Sequence, residues 1–274
     1  MHIIDGKKIA GEIEERVRRD AEGKEIKIAT IVYEGNEESL LFAKLKERAF
    51  ERVGFDYETI YFKNKEEEEI KKWIKNLNKD ERVTGINIQL PLPDGIDYYN
   101  LIKMVDIKKD IEGMHPYNIG NTLLGNEQLI PCTPKAIISI LEHENVKLEG
   151  INAVIVNHSN IIGKPLAMLL LNRNATVAIC HIYTRDIKKY TRMADLLITA
   201  TGVKGLIKGE YVKDNAIIID AGIKKEGGRV YGDVDGSAAI KAKAITPVPG
   251  GVGPVTIASM LENVLLAYEM QKSL

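Results

Sequence analysis

The chain has 274 residues with a formal net charge of −1, 38 Lys and Arg standing against 39 Asp and Glu. That length can bury a substantial core in one large or two smaller domains, and two are expected. The balanced charge gives no footing for nucleic acid or an anionic membrane, which need clustered Lys and Arg. The opening MHIIDGKK has no apolar targeting region, and no run approaches the roughly 18 apolar residues of a membrane span, so a soluble cytoplasmic protein is expected. Cys132 and Cys180 are far apart and form no C-x-x-C, which reads as buried reduced thiols rather than a disulfide or a metal site.

Ile9, Ile13 and Val17 recur every four residues and predict an amphipathic first helix, followed by an apolar strand from Ile26 to Tyr33. Ser39 reads as the cap of the next helix, whose apolar residues Leu41, Leu45, Ala49, Phe50 and Val53 keep helical spacing until Gly54 stops it. Tyr57 to Phe62 is a second strand. Glu66 to Glu69 open an acid-rich helix that runs to Asn78, and Val83 to Leu90 is a third strand, broken by Pro91 and Pro93. From Pro93 to Pro134 the pattern is irregular, and loops of that length tend to be functional or to join domains. A helix is expected over 134–144, then apolar strands near Ala153, Thr176, Leu196, Ala216 and Ala244, and a closing helix from Thr256 to Tyr268. The fold class expected is α/β: two α/β domains with a cleft between them, the second a Rossmann-like parallel sheet. The first domain is assigned residues 1–134 with the closing helix 255–274 returning to it, and the second residues 135–254.

The stretch from Ala153 to Leu171 is the centre of the second unit. Ala153 to Val156 read as a strand covered on both faces, Asn157 to Lys164 as a turn, and Pro165 as a first helical residue. A helix N-terminus facing the end of a parallel strand offers backbone N–H groups to an anion, as in a dinucleotide site. Only Gly163 remains of the usual glycine pattern, so an ordinary strand-to-helix connection stays open. After the next strand, Thr176 to Ile179, the chain runs into Cys180, His181 and Ile182 with no ribose-binding acid, which favours a 2′-phosphorylated cofactor with His158 or Arg185 supplying charge. Asp186 lies close enough to keep NAD as the alternative.

Lys46 lies one helical turn beyond Phe42, and periodicity by itself puts it on the surface. Gln89 stands at a strand end, where open α/β sheets bind ligands, or else anchors a loop. Asp110 and Glu112 precede Gly113 in a turn. The glycines of Pro249 to Pro254 let backbone approach a ligand closely.

Taken together, SLLFAKLKERAFERVG, GINIQLPLPDGI, KKDIEGMHPYNIGN, PCTP, VNHSNIIGKP, ATVAICH, IIIDAGI, GDVDG and ITPVPGGVGPVTIA occur in one order over nearly the whole chain, from Ile4 onward. That series closely resembles the bifunctional methylenetetrahydrofolate dehydrogenase/methenyltetrahydrofolate cyclohydrolase family. The resemblance implies NADP-linked oxidation of 5,10-methylenetetrahydrofolate to the methenyl cation, hydrolysis to 10-formyltetrahydrofolate in the same cleft, and a homodimer. It makes the first domain the folate-binding one and the second the NAD(P)-binding one. Lys46 falls on the family's catalytic lysine, which shuttles a proton as water attacks the methenyl carbon. Gln89 falls on the glutamine that holds that ammonium, and Glu112 on the acid that grips the pterin's amino-pyrimidine edge. Phe42, Pro249, Gly250 and Gly251 complete the folate surface. Asn157, His158, Ser159, Ile182, Thr184, Thr201 and Ile223 form the cofactor surface, with no metal.

This chain departs from the family pattern at several of those positions. Phe42 replaces a tyrosine and keeps the ring without the hydroxyl. Glu112 replaces an aspartate and needs the backbone to shift by about a methylene to make the same paired bonds. His158 stands for a phosphate-gripping arginine and Ile182 for a serine, which removes two expected 2′-phosphate contacts; protonated, His158 still serves the phosphate. The alternatives are a dehydrogenase with weakened hydrolysis and a non-catalytic nucleotide-binding protein. Retention of both Lys46 and Gln89 argues against the latter.

Overall fold

The computed structural model describes residues 1–63 and 67–273; Glu66, expected to open the third helix, lies outside the described residues. The backbone groups into two compact units. One comprises residues 12–121, 126–132 and 257–274, and the other residues 1–11, 122–125 and 133–256.

In chain order the elements begin with β1 (His2–Ile3), α1 (Gly6–Asp20), β2 (Lys27–Tyr33), α2 (Glu37–Arg52), β3 (Asp56–Phe62), α3 (Glu67–Lys79) and β4 (Val83–Ile88). The parallel sheet β3-β2-β4 carries the core of the first unit. All six residues of β4 are buried, as expected for a strand covered on both faces, and Ile31, Ile70, Ile74, Ile86 and Leu101 pack into one cluster around it. Gly54, at φ +81°, ends α2 as expected. The cap of α2 is Asn36, not Ser39: the Asn36 side chain accepts from the Ser39 N–H, a contact typically worth about 1 kcal/mol. The stretch expected to be irregular contains α4 (Tyr98–Ile102) and α5 (Pro116–Leu123), too short to carry a long hydrophobic period. Then α6 (Cys132–His143) follows, opening on one of the two cysteines, both of which are buried, reduced thiols.

The other unit contains β5 (Asn152–Val156), α7 (Gly163–Leu171), β6 (Thr176–Cys180), α8 (Ile187–Thr191), β7 (Leu196–Thr199), β8 (Ile217–Asp220), the antiparallel hairpin β9 (Lys224–Glu226) and β10 (Arg229–Tyr231), α9 (Gly236–Ala239) and β11 (Ala244–Ile245). Six strands form a wholly parallel sheet in the order β1-β11-β8-β7-β5-β6, the Rossmann-like layout expected. The first eleven residues sit in this unit because β1 pairs with β11, a two-residue edge too short to signal in the sequence. Helix α7 begins at Gly163, so Pro165 is its third residue rather than its first. The closing helix α10 (Val252–Lys272) also starts earlier than expected and takes in Gly253 and Pro254; from Ile257 on, it is part of the unit that holds β2 to β4. Among the described residues no helix is long and apolar enough to cross a membrane.

Candidate active site

Helix α2 is fastened to the segment after β4 by Ser39, whose hydroxyl donates to the Pro91 carbonyl at 3.0 Å. One turn on, Phe42 is half-buried, and a further turn brings Lys46. Lys46 is 9% exposed, against the surface place its spacing predicts. Its ammonium donates to Glu112 Oε1 at 2.8 Å and to Asn87 Oδ1 at 3.4 Å. Asn87 is fully buried on β4, and its amide donates in turn to Thr30 Oγ1 on β2 at 3.3 Å. The second oxygen of Glu112 accepts from the Tyr98 hydroxyl at 3.4 Å. Burial and the neighbouring Glu112 charge push the Tyr98 phenol well up, which keeps it a donor.

Gln89 does not hold Lys46. Its amide donates to the Leu90 carbonyl at 2.6 Å, and its Oε1 is buried without a partner. The side chain folds onto the next peptide where β4 ends, and Asn87, two residues back, takes the ammonium instead. Sequence reasoning missed Asn87, although a lone carboxamide in the buried run GINI is the kind of residue that must find partners.

The turn presenting Glu112 is built on Asp110. Fully buried, Asp110 accepts from the Met114 and His115 N–H groups at 3.1 and 2.7 Å and from the Asn118 amide at 2.8 Å. Burial raises its carboxyl, and Asp110 is the anchor of the turn rather than a ligand group. Gly113, at φ +70°, has no room for a Cβ against the Ile130 backbone. Asn263 on α10 bridges the Ile111 and Ile130 carbonyls at 3.0 and 2.8 Å, fixing both sides of the turn. In the other unit, the turn Pro249–Gly251 has Gly250 at φ +103°, and Gly6 at the start of α1 lies so close to Gly251 that a Cβ there would meet its backbone.

At the end of β5 the loop is organised by Asn157. Its Oδ1 accepts from the Ser159 N–H and hydroxyl at 2.8 Å and from the Gly163 N–H at 3.0 Å, while its amide donates to the Ala200 carbonyl at 2.6 Å. Ser159 takes the Ile162 N–H on its hydroxyl and the Lys164 N–H on its carbonyl. The first N–H groups of α7, expected to face an anion, are therefore spent inside the loop. A Cβ at Gly163 would collide with Asn157, so the loop closes on the helix as a dinucleotide turn requires. His158 is exposed with its ring 4.9 Å from that of His181, and Ile182 is 81% exposed beside them. Thr184 Oγ1 accepts from the His181 N–H at 2.9 Å. Asp186 caps α8 by accepting from the Lys189 N–H, so its carboxylate is already used locally. Thr201 and Ile223 are exposed on the loops after β7 and β8. A basic, exposed edge beside a glycine-tight turn on a parallel sheet fits an adenine dinucleotide with anionic groups.

These features define a two-part α/β protein: one part carries a nucleotide-binding type of parallel sheet, and the other a lysine held by carboxylate and carboxamide in a largely buried site. The chain belongs to the tetrahydrofolate dehydrogenase/cyclohydrolase family. The family's catalytic domain matches residues 4–112, and its NAD(P)-binding domain matches residues 131–272. A "Bifunctional protein FolD" of Methanosarcina barkeri is 48% identical over 271 residues, covering 96% of this chain and 94% of that one. The crystal structure of the bifunctional FolD methylenetetrahydrofolate dehydrogenase/cyclohydrolase from Campylobacter jejuni matches with a TM-score of 0.96 at 39% identity, over 98% of this chain and 99% of that one. The Trypanosoma brucei methylenetetrahydrofolate dehydrogenase-cyclohydrolase complexed with NADP and an inhibitor matches with a TM-score of 0.94 at 31% identity, over 99% and 98% of the two chains.

Proposed function

We propose that this protein oxidises 5,10-methylenetetrahydrofolate with NADP and then hydrolyses the methenyl product to 10-formyltetrahydrofolate, acting as a cytoplasmic homodimer. The observation that carries this reading is the Lys46 ammonium, almost fully buried yet held by the side chains of Glu112 and Asn87, groups that can be exchanged for a ligand. Glu112 grips the amino-pyrimidine edge of the pterin through both oxygens, with Phe42 lining the folate. Engaging the pterin takes Glu112 Oε1 away from Lys46. The vacant Gln89 Oε1 is then the acceptor for the displaced ammonium, which gives Gln89 its place in the loaded site.

In the hydrolytic step, water oxygen bonds to the methenyl carbon and one of its protons leaves to solvent. As the bond from that carbon to N5 breaks, Lys46 passes the remaining hydroxyl proton to N5, leaving the formyl group on N10. NADP, when bound, accepts the hydride of the preceding oxidation, and the protein's part is to bind and orient it. Asn157 and Ser159 shape the turn, His158 meets the 2′-phosphate, and Ile182, Thr184, Thr201 and Ile223 line the cofactor surface.

The test is to supply 5,10-methylenetetrahydrofolate with NADP or NAD and follow reduced nicotinamide and the methenyl chromophore separately. Reduced cofactor without accumulating methenyl product is expected. Accumulation of the methenyl product would reduce the protein to a dehydrogenase, and absence of any reduction would remove the enzyme reading.

A further inference from the structure

We infer that Asp233 is a positioning residue for the ribose and nicotinamide half of the cofactor, acting through the loop after β7; this rests on the dinucleotide reading above. Asp233 is fully buried, yet its carboxylate is saturated by one short segment. Oδ2 accepts from the Thr199 hydroxyl at 2.7 Å and the Thr201 N–H at 2.6 Å, and Oδ1 from the Val203 N–H at 3.0 Å. A second buried carboxylate supports the first: Asp220 accepts from the Asp233 N–H at 3.1 Å, the Val234 N–H at 2.9 Å and the Gly222 N–H at 3.0 Å. Both acids need a glycine opposite them, because a Cβ at Gly222 would run into the Asp233 carboxylate and one at Gly232 into that of Asp220.

The segment so held leaves the C-terminal end of β7, which lies between β5 and β8 in the middle of the parallel sheet, where open α/β sheets take their ligands. Its outer face is available, with Val203 52% exposed. The direction of the bonds decides which part of a ligand it suits. The Thr201 and Val203 N–H groups are spent on Asp233, and the Ala200 and Val203 carbonyls accept from the Asn157 amide and the Leu206 N–H, which leaves, among the described residues, the Thr201 and Gly202 carbonyls of this loop to accept from a ligand. Acceptors match ribose hydroxyls and a carboxamide amine, and they repel phosphates. Asp233 therefore serves NADP and NAD alike, in contrast to His158, whose charge concerns only the 2′-phosphate.

The experiment compares the full-length parent with Asp233→Asn and with the milder Thr199→Val. NADPH and NADH dissociation constants are read from nicotinamide fluorescence, and hydrolysis of methenyltetrahydrofolate is measured without any cofactor as the report on folding. Exchanging one carboxylate oxygen for an amide removes a charge-assisted bond, so Asp233→Asn should weaken NADPH and NADH by a common factor of about ten and Thr199→Val by a few-fold, with hydrolysis kept within about twofold. Unchanged binding in Asp233→Asn overturns the inference. So does a loss confined to NADPH, or a parallel loss of binding and hydrolysis. A parent that hydrolyses its substrate but binds neither dinucleotide removes the cofactor reading itself, and this inference with it.

Discussion

Lys46 is held by side chains that a ligand can claim, whereas the loop from Thr199 to Val203 is held by a carboxylate that no ligand reaches. The side chain of Glu112, the ionic partner of Lys46, keeps 18% of its surface open, while Asp233 keeps none. In a setting this dry, removing charges from water costs roughly what their attraction returns, so the Lys46–Glu112 pair adds little stability and is well suited to being exchanged. Asp233 stands at the other extreme. Its bonds are to backbone and to a buried hydroxyl, and they fix a loop in one conformation. One region stores its groups in a replaceable contact, and the other builds a surface before any ligand arrives.

The largest effect that separates the two regions is on Lys46. Lys46→Met should lower hydrolysis of the methenyl substrate by about 10²–10⁴-fold, the usual range for a positioned proton-transfer group, and leave NADPH binding in place. Hydrolysis that persists in that variant would make the Lys46–Glu112 contact structural only.

The next effect is on stability. Burial raises the Asp220 carboxyl to about 6, against the pull of its three backbone N–H donors and with the help of neighbouring Asp233. Since the folded state then holds this proton more tightly than the unfolded chain, its contribution is full below the ordinary aspartate range. It is lost as pH rises through about 6. The stability difference between the parent and Asp220→Asn should therefore change by on the order of 3 kcal/mol from pH 4 to pH 7, to the parent's disadvantage at the upper end. Chemical denaturation at the two pH values measures it, and a pH-independent difference would mean that the carboxylate stays ionised throughout.

Glu112→Gln comes third. Replacing a carboxylate that makes paired bonds to the pterin should raise the folate KM by roughly 10- to 100-fold, as loss of a charged hydrogen-bond acceptor does, with NADP affinity unaltered. A change in NADP affinity of the same size would mean that the two regions do not act separately.

What could be read in advance follows the same division. The strands and long helices were legible because buried parallel strands make continuous apolar runs and α2 keeps its helical spacing up to Gly54. Lys46, Glu112 and the loop at Asn157 were legible as positions in motifs. Their contacts were not, because whether Asn87 or Gln89 meets the ammonium depends on how the side chain turns where β4 ends. Asp233 escaped notice for another reason: its partners lie 30 to 34 positions away in sequence, and they meet it only because Asp220, at the end of β8 beside β7, holds the segment after β10. Ser39 and Pro165 show the limit of cap rules, since Asn36 and Gly163 are equally good openings and packing decides between them.

The smallest expected effect sharpens the contrast between His158 and Asp233. His158 is exposed, and the nearest titratable rings are His181, centred 4.9 Å away, and Tyr183, centred 6.0 Å from His181. The His158 ring offers the 2′-phosphate a hydrogen bond that NAD, lacking that phosphate, cannot use. His158→Ala should therefore lower the preference for NADP over NAD several-fold, through NADP alone. His158→Arg should raise the preference, because a guanidinium meets a phosphate through paired, charge-assisted bonds. Measuring both dinucleotide KM values for the parent and the two variants decides the matter: an unchanged ratio in His158→Ala takes the 2′-phosphate away from His158, whereas Asp233→Asn should shift both KM values and leave their ratio untouched.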